Sequence, residues 1–235
     1  MNLQDKQESQ LPVPMSPRCK QKLVYVEGNI GAGKSHLLSI LETFGFHTLP
    51  ENLDFWNYSA TETKGLLSTY FTANNKAVAE QFQNTVSASY LFQHHLSSKL
   101  QGPIFQERSI LACLHVFLPE LYIDALAKKR LTAYVQCIAD RIPPPDYILY
   151  LDTPPEKCWE RIQKRNRPGE VESLTFEYLL CLRKRYAEML TEAFKRRIPI
   201  VILSPEEIDV DIVQKIHKKK MFAHIDLLSN KGPEL

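Results

Sequence analysis

Short apolar runs alternate along this chain with longer stretches in which apolar residues recur every three or four positions. Leu23-Val24-Tyr25-Val26 is the first run, and its β-branched and aromatic content predicts a buried strand. Phe46 to Leu49, Pro103 to Phe105, Tyr147 to Leu151 and Ile198 to Leu203 predict four more. Between them the period changes. Leu37, Leu38, Ile40, Leu41 and Phe44 keep helical spacing until Gly45 supplies a stop. A long amphipathic pattern runs from Lys76 to Leu100, and another helix begins over Ser109 to Phe117. Pro119 to Asp140 reads as a single further helix, ending before Pro143-Pro144-Pro145. Pro154-Pro155 opens a helix through about Arg165, since proline is tolerated in a first turn. Leu174 to Arg196 carries Leu179, Leu182, Tyr186, Met189, Leu190 and Phe194 on one side, a core-facing stripe. Strands alternating with helices predict an α/β fold, its central sheet five-stranded and parallel, with helices on both faces.

The segment after the first strand changes that picture most. Gly28-Asn29-Ile30-Gly31-Ala32-Gly33-Lys34-Ser35 fills every fixed position of the phosphate-binding pattern G-x-x-x-x-G-K-[ST]. Three of the eight glycines of the chain fall within six positions here. They permit positive φ, so that successive N–H groups converge on one anion. Lys34 is expected to reach the β- and γ-phosphates, and the Ser35 hydroxyl to hold Mg²⁺. Strand, loop and helix follow in the order that aims a helix N-terminus at phosphates. The predicted architecture is therefore the three-layer sandwich of P-loop NTPases, with its ligand beyond the carboxyl ends of the strands.

Composition adds bounds. The 235 residues suit one sizeable domain, 44% hydrophobic and 24% charged, with a formal net charge of +2. We expect a flexible arm over residues 1–21, one domain over 22–222 and a tail over 223–235, with no internal repeat. Basic clusters at Lys128-Lys129-Arg130, Lys195-Arg196-Arg197 and Lys218-Lys219-Lys220 read as helix-end cations, not as a nucleic-acid surface. Five scattered cysteines, Cys19, Cys113, Cys137, Cys158 and Cys181, include no C-x-x-C pair and predict free thiols in a reducing compartment. No apolar stretch approaches the roughly 18 residues of a membrane span. The polar, proline-bearing N-terminus does not resemble a secretory signal, so a cytoplasmic protein is expected. Adjacent His94-His95 diverge on a helix and read as ordinary helix residues.

A phosphate loop alone serves kinases, GTPases and motors. A GTPase wants N-K-x-D, and Asn75-Lys76-Ala77-Val78 lacks the acid. A small-molecule kinase wants a base for the acceptor hydroxyl and cations over the transferring phosphoryl group. Glu51 follows the second predicted strand and is placed to take a proton. Glu107-Arg108-Ser109 follows the third, with one carboxylate for Mg²⁺ and one guanidinium for an anion. Arg161, Arg165 and Arg167 cluster before Pro168-Gly169. The first two share a helix face and repel unless an anion lies between them, which suits a phosphate clamp. Each group also has a bland reading, as a loop acid, a capping arrangement or a surface pair.

Taken together these segments resemble the deoxyribonucleoside kinase family, which includes cellular deoxycytidine and deoxyguanosine kinases and herpesviral thymidine kinases. The resemblance rests on Glu27 to Ser35, Pro50-Glu51 with Trp56, Phe82-Gln83, Glu107-Arg108-Ser109 and Arg161 to Glu170, in order over about residues 22 to 205. The Lys164-Arg165-Asn166-Arg167-Pro168-Gly169-Glu170 run is most like the herpesviral lid, at about residues 161–171. The resemblance implies ATP and Mg²⁺ as cofactors and transfer to the 5′-hydroxyl of a deoxynucleoside. It implies Glu51 as general base, oriented by Arg108, and Ser35 and Glu107 on Mg²⁺. Arg161, Arg165 and Arg167 would contact phosphates. Glu170 would bind the sugar 3′-hydroxyl with Tyr70, and Gln83 would pair with the base edge. Trp56, Phe82 and Phe117 would wall the base. Adenine contacts would lie near the lid and around Ser204 to Asp209.

Tyr90 and Cys113 stand where the deoxycytidine kinase pattern has an arginine and an aspartate. The pair that reads an exocyclic amino group is missing, and Cys113 leaves room for a thymine methyl, so thymidine is the expected acceptor. His36 and Asn52 depart from the family pattern without touching this chemistry. A homodimer through the long helices is implied. The rivals are a thymidylate-type monophosphate kinase and a nucleotide-binding module that has lost catalysis.

Overall fold

The computed structural model describes residues 22–57, 65–73, 75–167 and 169–207. The expected arm over 1–21 and tail over 223–235 lie outside the described residues, as does the third basic cluster. Five parallel strands form one sheet: β1 (Lys22–Gly28), β2 (His47–Leu49), β3 (Pro103–Glu107), β4 (Tyr147–Leu151) and β5 (Ile200–Leu203). Their order is β2-β3-β1-β4-β5, which places β1 at the centre and reverses the winding direction beside it. The register pairs Val26 with Glu107 on one side and with Leu149 on the other. Ligands of such sheets bind beyond the strand ends at this reversal.

Side chains of β1 alternate between two cores, as a period of two requires. Val24 and Val26 pack with Leu37, Leu38 and Leu41 of α1 (Lys34–Thr43) and with Ile162 of α8 (Pro155–Arg165). Leu23 and Tyr25 pack on the opposite face with Leu182, Tyr186, Met189 and Leu190 of α10 (Phe176–Lys195). Both faces of the strand are covered, which is why Leu23 to Val26 is continuously apolar.

A third core lies beyond the sheet. It joins α2 (Leu53–Asn57), α3 (Leu66–Ala73) and α4 (Lys76–Ser97) to α7 (Ala125–Ala139) through Trp56, Phe82, Tyr90, Leu131 and Val135. The single helix expected over Pro119 to Asp140 is two. The short α6 (Leu118–Glu120) ends at Leu121, whose backbone is extended, and α7 starts afresh with Asp124 accepting from the Ala127 N–H. An Asp before an apolar run is a strong N-cap, and it wins over continuity of the periodic pattern. The Lys128-Lys129-Arg130 cluster consequently sits near an N-terminus, where the helix dipole does not favour cations.

After α5 (Ile110–Ala112), capped by Ser109, the backbone widens into a π-turn over Cys113–Phe117. Nothing in the apolar spacing announces it; such turns recur at functional sites. β3 runs two residues further than expected, so Glu107 ends the strand and does not follow it. α9 (Glu170–Ser173) is a single turn between α8 and α10. No helix among the described residues is long and apolar enough to cross a membrane.

Candidate active site

The glycine loop connects β1 to α1 with the backbone the sequence requires. Gly28, Gly31 and Gly33 have φ of 149°, 79° and 104°. Gly31 has no room for a side chain: a Cβ there would lie 2.5 Å from the Cys158 carbonyl oxygen of α8. Side chains cap α4, α5, α7 and α10, but Gly33 gives α1 no such cap, and no acid stands in its first turn. Its N-terminal amides are thus available to an anion.

Lys34 is 4% exposed, and its Nζ donates to the Asn29 carbonyl at 2.9 Å. Burial, together with the nearby Arg108, lowers its pKa from 10.5 to about 8. Asn29 braces the loop from within, its amide donating to the Leu179 carbonyl of α10. Ser35 Oγ donates to Glu107 Oε1 at 3.1 Å, which joins the end of β3 to the start of α1. Burial and the neighbouring Glu51 raise the Glu107 pKa. A hydroxyl and a strained carboxylate side by side form a set of hard oxygen donors that fits Mg²⁺, an ion usually held by one or two protein oxygens plus substrate phosphates.

Arg108 is the hub. Its Nε donates to Glu51 Oε1 at 2.5 Å, joining the ends of β2 and β3. Its Nη1 donates to the Gly28 carbonyl and to the Tyr186 hydroxyl, and its guanidinium lies 4.8 Å from the Phe117 ring centroid. Its own φ is 59°, in the left-handed region a non-glycine residue occupies only when its surroundings hold it there. Gln93 of α4 braces the other partner by donating to the carbonyl of Pro50, next to Glu51.

Arg161 and Arg165 each reach a different partner. Arg161 Nη1 folds onto the glycine loop, donating to the Gly31 and Ala32 carbonyls at 3.3 and 2.8 Å. Arg165 Nη2 donates to Glu170 Oε1 at 2.6 Å. Arg165 thus has a carboxylate as counter-charge, and Arg161 is held by two backbone carbonyls. Glu170 is buried, and its second oxygen, Oε2, has no hydrogen-bond partner among the described residues.

These groups line one cavity of about 1050 Å³. Ile30, Gly31, Gly33, Lys34, Ser35, Glu51, Glu107 and Arg108 form one part of its wall, and Arg161, Arg165, Arg167 and Glu170 another. Trp56, Tyr70, Phe82, Gln83, Tyr90, Cys113 and Phe117 complete it. The structure thus gathers every expected catalytic, metal and acceptor residue around one space. Gly28, Asn29 and Ala32 lie behind the loop as its supports. The aromatic wall is already partly engaged: Tyr70 stacks on Phe82 at 4.6 Å between centroids, and Trp56 meets Phe82 edge-on while donating to Ser89 Oγ. Of the region expected to meet adenine, residues 208 and 209 lie outside the described residues.

Three residues of this region have no polar role legible in the linear pattern. Glu27 is only the first residue of the Glu27 to Ser35 segment, and Tyr186 belongs to an apolar stripe. Tyr178, two turns earlier on α10, also lines the cavity. The signal available for the first two was an acid in a continuously apolar strand and a phenol among leucines, since each demands a buried partner.

A parallel sheet with a phosphate loop after its central strand, and a carboxylate held opposite that loop's lysine, defines a P-loop phosphotransferase. The family model described as deoxynucleoside kinase matches residues 24–228. The chain belongs to the deoxynucleoside kinase family, as the sequence resemblance implied, and ATP is the phosphoryl donor that membership implies. It is 32% identical to the thymidine kinase of Ictalurid herpesvirus 1 (strain Auburn), over 72% of this chain and 74% of that one. It is 29% identical to deoxycytidine kinase 2 of Gallus gallus, over 78% and 82%. It is also 30% identical, over 71% and 54%, to mitochondrial NADH dehydrogenase [ubiquinone] 1 alpha subcomplex subunit 10 of Bos taurus, whose name mentions no kinase.

Proposed function

We propose that this deoxynucleoside kinase transfers the γ-phosphoryl group of ATP to the 5′-hydroxyl of thymidine. The observation that carries the catalytic part is the placement of Glu51: its carboxylate is held by Arg108 on the cavity that also contains Lys34, Ser35 and Glu107. In this reading Glu51 accepts the hydroxyl proton as the oxygen attacks phosphorus. Arg108 keeps the carboxylate aimed. Lys34, the α1 amides and the arginines of the lid stabilise charge on the transferring group. Arg161 and Arg165 reach it after exchanging their present partners for phosphate oxygens, and Arg167 joins them from the same cavity wall. Ser35 and Glu107 would hold Mg²⁺, which when bound neutralises charge on the phosphates. The buried Glu170 Oε2 is an acceptor awaiting a donor, and the sugar 3′-hydroxyl, shared with Tyr70, supplies one.

The acceptor assignment rests on the neutral base end of the cavity. Cys113 is buried, and burial pushes its thiol up and out of the ionising range. Burial likewise keeps Tyr90 a neutral phenol. With Gln83 as the amide reader and Trp56 and Phe82 as walls, this end suits thymine, which lacks an exocyclic amino group. The similarity to a herpesviral thymidine kinase supports the same choice. An acceptor panel of four deoxynucleosides plus thymidylate, with ATP and Mg²⁺, checks it. Thymidine should give the highest kcat/KM. Preference for deoxycytidine or a purine nucleoside would overturn the assignment. Faster transfer to thymidylate would turn the reading into a monophosphate kinase, and no transfer at all would favour the inactive module.

A homodimer belongs to the same proposal. α4 and α7 pack together, and Leu91, Phe92, Leu96, Leu126 and Tyr134 are exposed on them. Apolar groups in such number on two adjoining helices favour an interface. Sedimentation equilibrium should return about twice the 27.1 kDa chain mass; a monomer at tens of micromolar would refute it.

A further inference from the structure

The base and its arginine are not the end of the buried polar chain. Tyr186 Oη accepts from Arg108 Nη1 at 2.6 Å and lies 3.4 Å from Glu27 Oε2, to which it donates. Ser109 Oγ donates to the other oxygen, Glu27 Oε1, at 2.5 Å. Glu27 is fully buried, and Ser109 is fully buried beside it. The fold explains why these four meet. Glu27 continues the Leu23 and Tyr25 register of β1 and so faces α10, where Tyr186 sits in the stripe between Leu182 and Leu190. Arg108 and Ser109 follow β3, the neighbour of β1 in the sheet.

We propose that Glu27 and Tyr186 are positioning residues: together they form a buried arm that fixes the Arg108 guanidinium and, through it, the Glu51 carboxylate. This rests on the kinase reading above and extends it to residues that never touch substrate. The argument is one of directions. An ionised Glu27 accepts on both oxygens, so the Tyr186 proton must point at it. The phenol's lone pairs then face Arg108, and Nη1 is drawn to one place. Nε follows, because the guanidinium is planar and rigid. Glu51 is then held on the cavity with a fixed partner. Removing the phenol oxygen leaves Nη1 with the Gly28 carbonyl at 3.2 Å and frees the plane to turn over Phe117.

The arm is sensitive to protons. Burial raises the pKa of Glu27 from 4.5 to about 7, opposed by Ser109, Arg108, Lys34 and Tyr186. The groups around it are Tyr25 on its own strand, Lys34 after the loop, Tyr90 on α4, Arg108 and Ser109 after β3, Cys113 on the π-turn, Tyr150 on β4, Tyr186 on α10 and, through Arg108, Glu51. A protonated Glu27 loses its attraction for Arg108 and turns its own O–H towards a neighbour. The arm should therefore loosen as pH falls through about 7.

The test uses the full chain with Tyr186→Phe and, as a second variant, Glu27→Gln. Two quantities are measured: steady-state kinetics with thymidine, ATP and Mg²⁺, and the Arg108 Nε–H resonance of the ligand-free protein across pH 5.5–8.5. We expect Tyr186→Phe to lower kcat about tenfold, the size of losing one hydrogen bond to a charged group, with both KM values within about threefold of wild type. We expect the Arg108 resonance to move with a midpoint near pH 7 in the wild type and to lose that titration in Glu27→Gln. An unaltered Arg108 resonance in both variants overturns the proposal, whatever the rates do. An active wild type whose Tyr186→Phe variant keeps full kcat overturns it too. If the wild type transfers no phosphoryl group, the kinase reading falls instead, and the resonance alone decides on the arm.

Discussion

Glu51→Gln should lower kcat by about 10²–10⁴-fold, the usual contribution of a general base in place. The KM for the nucleoside should stay within about threefold. Glutamine matches the shape of the acid and leaves an oxygen for the Arg108 Nε–H, so the ends of β2 and β3 stay joined. What disappears is the feature the proposed mechanism needs from that position, a carboxylate oxygen able to take a proton. The acceptor hydroxyl is a poor nucleophile while it keeps its proton. The loss should therefore fall on turnover and not on binding, which in the proposed reading uses Trp56, Phe82 and Gln83 on other elements of the cavity wall. Single-turnover measurements with pre-bound nucleoside separate the two. A Glu51→Gln protein with wild-type kcat would remove the base from the mechanism. One that binds nucleoside a hundredfold more weakly would make Glu51 a binding residue.

Lys34→Met carries the second large effect, and it has two signs. Turnover should fall by about 10²–10³-fold, the scale of losing one preorganised charge donor to the reacting group. Stability should rise. A lysine whose folded pKa is depressed, here from 10.5 to about 8, adds stability only above its unfolded pKa. That contribution is lost as pH falls from about 10.5 to about 8, so at pH 7 the folded state bears the full penalty of a buried cation. Methionine fills a similar volume without the charge. Glu107 loses a favourable neighbour in the exchange and takes up a proton more readily. The net gain should be about 3–10 °C in Tm, given 2–4 °C per kcal/mol for a domain of this size. Differential scanning calorimetry at pH 7 and pH 10 checks it: the advantage of the variant should shrink at the higher pH. A variant that melts below wild type at pH 7 would mean that Lys34 is better paired than its burial suggests. The site is held at the expense of the fold, as active sites commonly are.

The linear pattern of residues determined a good deal here. Continuous apolar runs marked β1 and β4 because a strand buried on both faces tolerates no polar alternation. The loop glycines fixed a conformation because few other residues adopt those φ angles. The order of charged residues after strand ends placed Glu51 and Arg108 at one rim, since parallel strands all deliver their carboxyl ends to the same side. Tertiary structure decided the rest. That Arg161 meets the Gly31 and Ala32 carbonyls and Arg165 meets Glu170 is something spacing on a helix cannot reveal. The break before α7 came from an N-cap competing with an apolar period. The π-turn that carries Cys113 and Phe117 to the cavity has no signature in apolar spacing. The polar job of Tyr186 was hidden for a plain reason. A phenol on an apolar stripe packs like a leucine along most of its length, and only the chain that passes its last atom determines what that oxygen does.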